Sequence, residues 1–215
     1  MILVQAGLNA QVNDAEFWEN FNVEHKLSPA LTARFSHEGR FTDNYSRLTY
    51  FFEDVGMEYK IPKTHFGMLA DYVYIRKHVP ENYWSNRHQF YTAITYAHKL
   101  GPIQLHDRQM LMAQVKDVKS SANGKVPDWY LRNKLTAKYS FNFYWSVYVA
   151  EELYWHVHTA NDGAAHTNRV RYFAGMFFRP DKRSEFELYY LIEQHMNIAN
   201  PNHNYVFGAG YTLTI

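Results

Sequence analysis

The chain contains no cysteine. That excludes a disulfide framework and any thiolate-held metal. It also has no apolar run near the roughly 18 residues that a spanning helix requires, so a helical membrane protein is excluded. Neither sign of charge is in excess, with 22 Lys and Arg against 21 Asp and Glu. No bulk attraction to nucleic acid follows, and none is expected as a partner. A full signal peptide is missing too. MILVQAGLNAQ has a short apolar part and a small-residue site near Ala10, but no basic start. It reads as strand material in a processed chain.

What is abundant is aromatic. Phe, Trp and Tyr make up 18% of the residues, with 18 tyrosines among them. Tyr and Trp join an apolar body to a polar tip, which suits an oil–water boundary. The arrangement has period two. In LTARFSHEGRF, Leu31, Ala33, Phe35 and Phe41 lie on one side of an extended chain, with Thr32, Arg34, Ser36, Glu38 and Arg40 on the other. That is a two-faced strand.

The pattern recurs in twelve segments, from Ile2–Leu8 to Tyr205–Ile215. Most are near ten residues, closer to the roughly 9–11 of a tilted transmembrane strand than to the 5–6 of a globular one. Turns at 13–14, 28–29, 62–64, 100–102, 140–142 and 180–183 are short. Loops near 42–46, 77–86, 116–127, 158–167 and 196–203 are mostly longer and polar, the barrel habit. An even count would place both ends of the chain on one side. Tyr144–Val157 is strand-like with no clear assignment of faces, and Ile103–Gln114 is irregular because Asp107 shares a face with Leu105 and Leu111.

The apolar face meets either a packed interior, in a soluble barrel or sandwich, or lipid, in a membrane barrel. Aromatic pairs near strand ends favour lipid: Phe17-Trp18, Tyr83-Trp84, Trp129-Tyr130 and Phe143-Tyr144-Trp145 resemble interfacial girdles. The polar face mixes Arg with Glu rather than carrying an ordinary solvated Lys–Glu surface. Glu19, Asp107 and Asn133 speak for the soluble alternative, unless they sit near strand ends, where a charge costs little.

FWENFNVEHKLSPALTARFSHEGRF, the later NRVRYFAGMFFRP and EFELYYLIEQH, and the closing Gly-x-Gly-Tyr strand resemble a family of uncharacterised outer-membrane β-barrels common in Bacteroidota, a domain of unknown function. The resemblance runs from about Phe17 to the end. It implies fold and location and carries no catalytic residues. The last strand also resembles an outer-membrane insertion signal through Tyr211, Leu213 and Ile215, with Ile215 where a Phe or Trp is usual.

The sequence therefore predicts one barrel domain over residues 1–215, all-β, antiparallel, up-and-down, with about 12 strands. It would sit in a bacterial outer membrane among lipid and lipopolysaccharide. The expected lumen-lining charges are Arg34, Glu38, Arg40, Glu58, Arg87, Arg132, Lys134, Arg169, Arg171, Glu185 and Glu187. They form either a selective, porin-like pore for small polar or charged solutes or a salt-bridged plug. A subunit role in a larger outer-membrane complex is the second function. A membrane-embedded lipid hydrolase is the third, since Ser85 and His88 could meet across strands, but no enzyme is expected. His156, His158 and His166 invite a metal, yet no third convergent ligand completes a site. No cofactor is implied.

Overall fold

A computed structural model describes residues 13–79, 82–117, 127–158, 165–197 and 202–215. Their strands are β1 (Asn13–Lys26), β2 (Leu31–Thr42), β3 (Arg47–Lys60), β4 (Phe66–Val79), β5 (Tyr83–Leu100), β6 (Ile103–Lys116), β7 (Asp128–Ser140), β8 (Trp145–His158), β9 (His166–Phe178), β10 (Ser184–His195) and β11 (His203–Thr214). They close into one barrel of eleven strands, each antiparallel to its chain neighbour, with β1 and β11 closing it in parallel. The all-β barrel expectation stands. The count and its corollary are corrected: with eleven strands the described chain enters at one rim and leaves at the other. The Asn13-Asp14 turn is corrected as well, because both residues are strand, paired with His203 and Asn204. The predicted segment Ile2–Leu8 lies outside the described residues.

Register fixes the barrel's geometry. Successive partners from Asn86 run through Arg76, Phe51, Gly39, Glu19, Ala209, Leu188, Met176, Val147, Tyr139 and Ile103 to Leu100, which is 14 residues further along β5. With about 3.3 Å per residue and about 4.8 Å between strands, that stagger tilts the strands by about 40°. The backbone radius is then about 11 Å and the wall stands about 30 Å tall, the thickness of a bilayer core.

The short rim is made by local side-chain chemistry. Ser28 Oγ accepts the Ala30 and Leu31 N–H groups at 3.2 and 3.0 Å. Asn142 Oδ1 accepts those of Tyr144 and Trp145 at 2.8 and 2.9 Å. Asp181 Oδ1 accepts those of Arg183 and Ser184, both at 2.7 Å. These Asx- and Ser-turns add side-chain acceptors to the backbone bonds that close the hairpins, such as Leu27 N–H to the Leu31 carbonyl and Phe141 N–H to that of Trp145. The two backbone donors hold the Asp181 carboxyl below the usual carboxylate range. A depressed pKa stabilises above the unfolded value and stops doing so as pH falls through the folded one. Asp181→Ala should therefore lower the urea midpoint at neutral pH, with the difference from the parent protein closing in strong acid. A constant difference at every pH would refute this account.

Alternation then sorts the side chains. Phe90 and Ile94 are each 56% exposed on the outside, and Val149 is 59% exposed. Glu152, at 1%, and Arg171 and Glu193, both at 4%, are buried within. A soluble sheet would bury the first set and wet the second. The protein is a closed β-barrel with an apolar exterior, consistent with a membrane-spanning barrel.

Alternation also corrects the girdle reading. Trp18 is 3% exposed and faces the lumen rather than the rim. Within Trp129-Tyr130, Trp129 is exposed while Tyr130 lines the lumen. Trp84 packs on outward Phe51 at 5.6 Å between ring centres. The predicted loop at 77–86 is shorter than expected, since β4 runs to Val79 and β5 begins at Tyr83.

Candidate functional site

The lumen holds a cavity of about 510 Å³. Arg34, Glu38, Arg40, Arg87, Arg132, Lys134, Arg169, Arg171 and Glu187 all line it. Glu58 shares the inward face of β3 with Asp54, two pleats nearer the short rim. Glu185 shares the inward face of β10 with Glu187 and pairs with Lys138 at 3.9 Å and with Arg179.

A belt of ionised side chains crosses the middle of the wall. Glu152 on β8 is its hub. Its Oε1 accepts from Arg132 at 2.7 Å and Arg108 at 3.2 Å, and its Oε2 accepts from Arg171 at 3.2 Å. Arg171 in turn donates to Glu193 and to Tyr154 Oη, each at 2.5 Å. Glu193 also takes Arg169 at 3.4 Å and His195 at 2.7 Å. Trp18 closes the belt across β1. Its ring lies 3.7 Å from the Arg40 guanidinium and 5.0 Å from that of Arg171, and its Nε1 donates to Glu16 at 2.6 Å. Arg40 donates to Glu38 at 2.6 Å. Buried charges are tolerable when each has partners of this kind.

The remaining lumen is unequal. Ten basic but six acidic side chains line the cavity. Among the described residues no carboxylate pairs with Lys77, Arg87 or Lys134. Lys134 instead lies 4.1 Å from the Phe173 ring centre. Two apolar clusters also face inward, one on β4–β6 around Val73, Ile75 and Met112, the other around Trp18, Tyr189, Leu191 and Val206.

The expected outward polar residues do lie outside, but not at strand ends. Asn133, sixth in β7, donates to Asp107, fifth in β6, at 2.6 Å, and Gln109 donates to the same carboxylate at 3.2 Å. Glu19, seventh in β1, lies over Gly39, whose missing side chain makes room for it. Each polar group is sheltered by a neighbour rather than by position. Ser85 faces the lumen on β5 while His88, three residues on, faces out beside Tyr72, so the two do not pair within the strand. His156 lies 5.5 Å from His166, ring to ring, and stacks on Tyr130 at 4.8 Å. Nothing is described of the His158 side chain. Among the described residues no three His, Asp or Glu side chains converge.

Glu152, Arg108, Lys77 and Trp18 were absent from the expected lumen set. Glu152 was legible in principle: Tyr148, Ala150, Glu152, Tyr154 and His156 share one parity. The adjacent Glu151 masks it, because one carboxylate faces in and the other out.

The model for a protein of unknown function, DUF2490, matches residues 15–204. The chain belongs to the DUF2490 family. No curated protein matches it. The matched residues run from the second pleat of β1 to the start of β11, so the belt and cavity of this DUF2490 barrel fall almost wholly within the family's own span.

Proposed function

We propose that this DUF2490 protein is an integral outer-membrane barrel whose lumen passes small polar or charged solutes, anions in preference to cations. One observation carries the reading. A single cavity extends from Lys77 and Lys116, near the rim of longer loops, through the belt to Arg34, and its lining is basic in excess. Eleven strands enclose more room than the eight that side chains fill and less than the sixteen of an open porin, so passage is narrow. The apolar exterior supports the membrane setting.

Planar-bilayer recording tests the reading. The protein should give discrete conductance steps with a reversal potential favouring chloride over potassium in a salt gradient. Lys134→Glu, which reverses a lumen cation that stands between Arg108 and Glu152 in register and has no carboxylate within ion-pair distance among the described residues, should move that potential toward the potassium value. A barrel that runs compact on an unboiled gel and gives no steps would overturn the proposal.

A second reading, as subunit of a larger outer-membrane complex, has its own support. Glu19 and the Asp107–Asn133–Gln109 group face outward at mid-strand, where lipid is a poor solvent for them. Native purification in mild detergent should then retain a stoichiometric partner that Glu19→Leu or Asp107→Leu releases. Purification of the barrel alone would remove this reading.

A further inference from the structure

We infer that the longer-loop half of the lumen is a binding site for a small amphipathic anion, a carboxylate carried on an apolar body. This deepens the passage reading and rests on the same lumen.

The head of such a ligand meets Lys77 and Arg87. Both face inward from adjacent strands. Lys77 stands opposite Ser85 and Arg87 opposite Ile75, which makes the two cations diagonal neighbours, about 7–8 Å apart at the backbone. The belt cannot neutralise them, because its carboxylates are committed: Glu152 to Arg132, Arg108 and Arg171, and Glu193 to Arg171, Arg169 and His195. Lys116, the next cation toward the rim, is held by Asp128. Two fixed positive charges thus face a cavity with no anion of the described protein against them.

The body of the ligand meets the wall beside them. Tyr50 stands opposite Lys77 in register and Phe52 opposite Ile75. With Tyr130 from β7 these rings are half-buried and pack on the buried cluster of Val73, Ile75 and Met112. All three aromatic side chains line the same cavity as the two cations. A lumen serving water and simple ions alone is polar. Here half-buried rings form a wall beside the unpaired charges. A simple anion would satisfy the cations and leave the wall wet. An alkyl cation would wet neither surface less and meet repulsion. A carboxylate with a short alkyl or aryl tail satisfies both, and each methylene placed on the wall is worth about fourfold in affinity.

Saturation-transfer NMR on the intact barrel in vesicles, with acetate, butanoate, hexanoate and hexylammonium as probes, tests the site. Hexanoate should bind saturably and at least tenfold more tightly than acetate, with butanoate between them. Hexylammonium should not compete. A Lys77→Gln, Arg87→Gln double variant that still runs compact on an unboiled gel should lose at least tenfold for hexanoate. Equal binding of acetate and hexanoate would overturn the proposal, as would competition by hexylammonium or a double variant that binds normally. The chain-length series needs no variant and stands if the double variant does not fold. Saturable hexanoate binding without conductance steps would keep the site and remove the pore. Conductance steps without hexanoate preference would keep the pore and remove the site.

Discussion

Glu152→Gln should lower the unfolding free energy of the barrel by about 3–5 kcal/mol, the usual cost of leaving buried charge without its partner. Glu152 is 1% exposed and accepts from three arginines on β6, β7 and β9. Glutamine keeps the shape but offers one acceptor oxygen and an N–H₂ group that faces guanidinium. Arg132 and Arg108 then lose the only carboxylate they pair with among the described residues, while Arg171 keeps Glu193. Urea unfolding in lipid vesicles measures the loss. The neighbouring residue supplies the control. Glu151 is exposed on the outer face, paired in register with Leu135 and Tyr172. Glu151→Gln removes a charge from an apolar setting and should leave stability unchanged or raise it slightly. Equal losses from the two substitutions would mean that the inward and outward faces of β8 are misassigned.

Gly208→Val should cost about 3 kcal/mol or more, the upper range for forcing volume into a packed interior. Gly208 on β11 faces inward opposite Tyr189 on β10, and the tyrosine ring lies flat over the glycine where a Cβ would stand. Tyr189 is 7% exposed and packs with Phe173. Tyr189→Ala alone should cost about 3–5 kcal/mol as a large-to-small change. The double variant is the informative one. With the ring gone, valine at 208 should add nothing to the loss, and the two effects should be strongly non-additive. Additive losses would show that the ring does not occupy the glycine's space. Chemical denaturation of the four proteins, with compact gel migration as the fold check, completes the cycle.

The fold was legible because alternation is a property of individual strands. In β2, Leu31, Ala33, Phe35 and Phe41 separate from Thr32, Arg34, Ser36, Glu38 and Arg40 on the sequence alone. Closure is a property of all strands together, and that is where local signals misled. Asn13-Asp14 has turn chemistry, yet both residues are held in the ladder by β11, nearly two hundred residues away in sequence. Asp14 is put to a different use, accepting the Asp43 and Asn44 N–H groups at 3.2 and 3.1 Å and pinning the β2–β3 turn. That turn places Asp43, Asn44 and Tyr45 at positive φ, a conformation unusual for tyrosine.

The site was legible in its arginines and less so in their counter-ions. Arg132, Lys134, Arg169 and Arg171 alternate cleanly. Glu152 is hidden by Glu151, and Trp18 by the expectation that tryptophan marks a rim. Lys77 fell in a stretch read as loop, because His78, Pro80 and Asn82 outweighed the strand pattern before them. The apolar interior of β4 was invisible for another reason. Val73 and Ile75 sit between outward tyrosines, so that strand is apolar on both faces, and periodicity cannot say that one apolar face borders a cavity.

An odd number of staves leaves a barrel that no succession of hairpins can finish. Ten of the eleven junctions join sequence neighbours; the last, between Asn13–Glu24 and His203–Thr214, joins strands running the same way. Its bonds slant and hold slightly less well per residue than those elsewhere, so this seam is the natural final step of assembly and the first line along which the cylinder would open. A link from Thr214 back to Asn13, unlike one joining neighbouring hairpin ends, would have to reach about 30 Å from rim to rim.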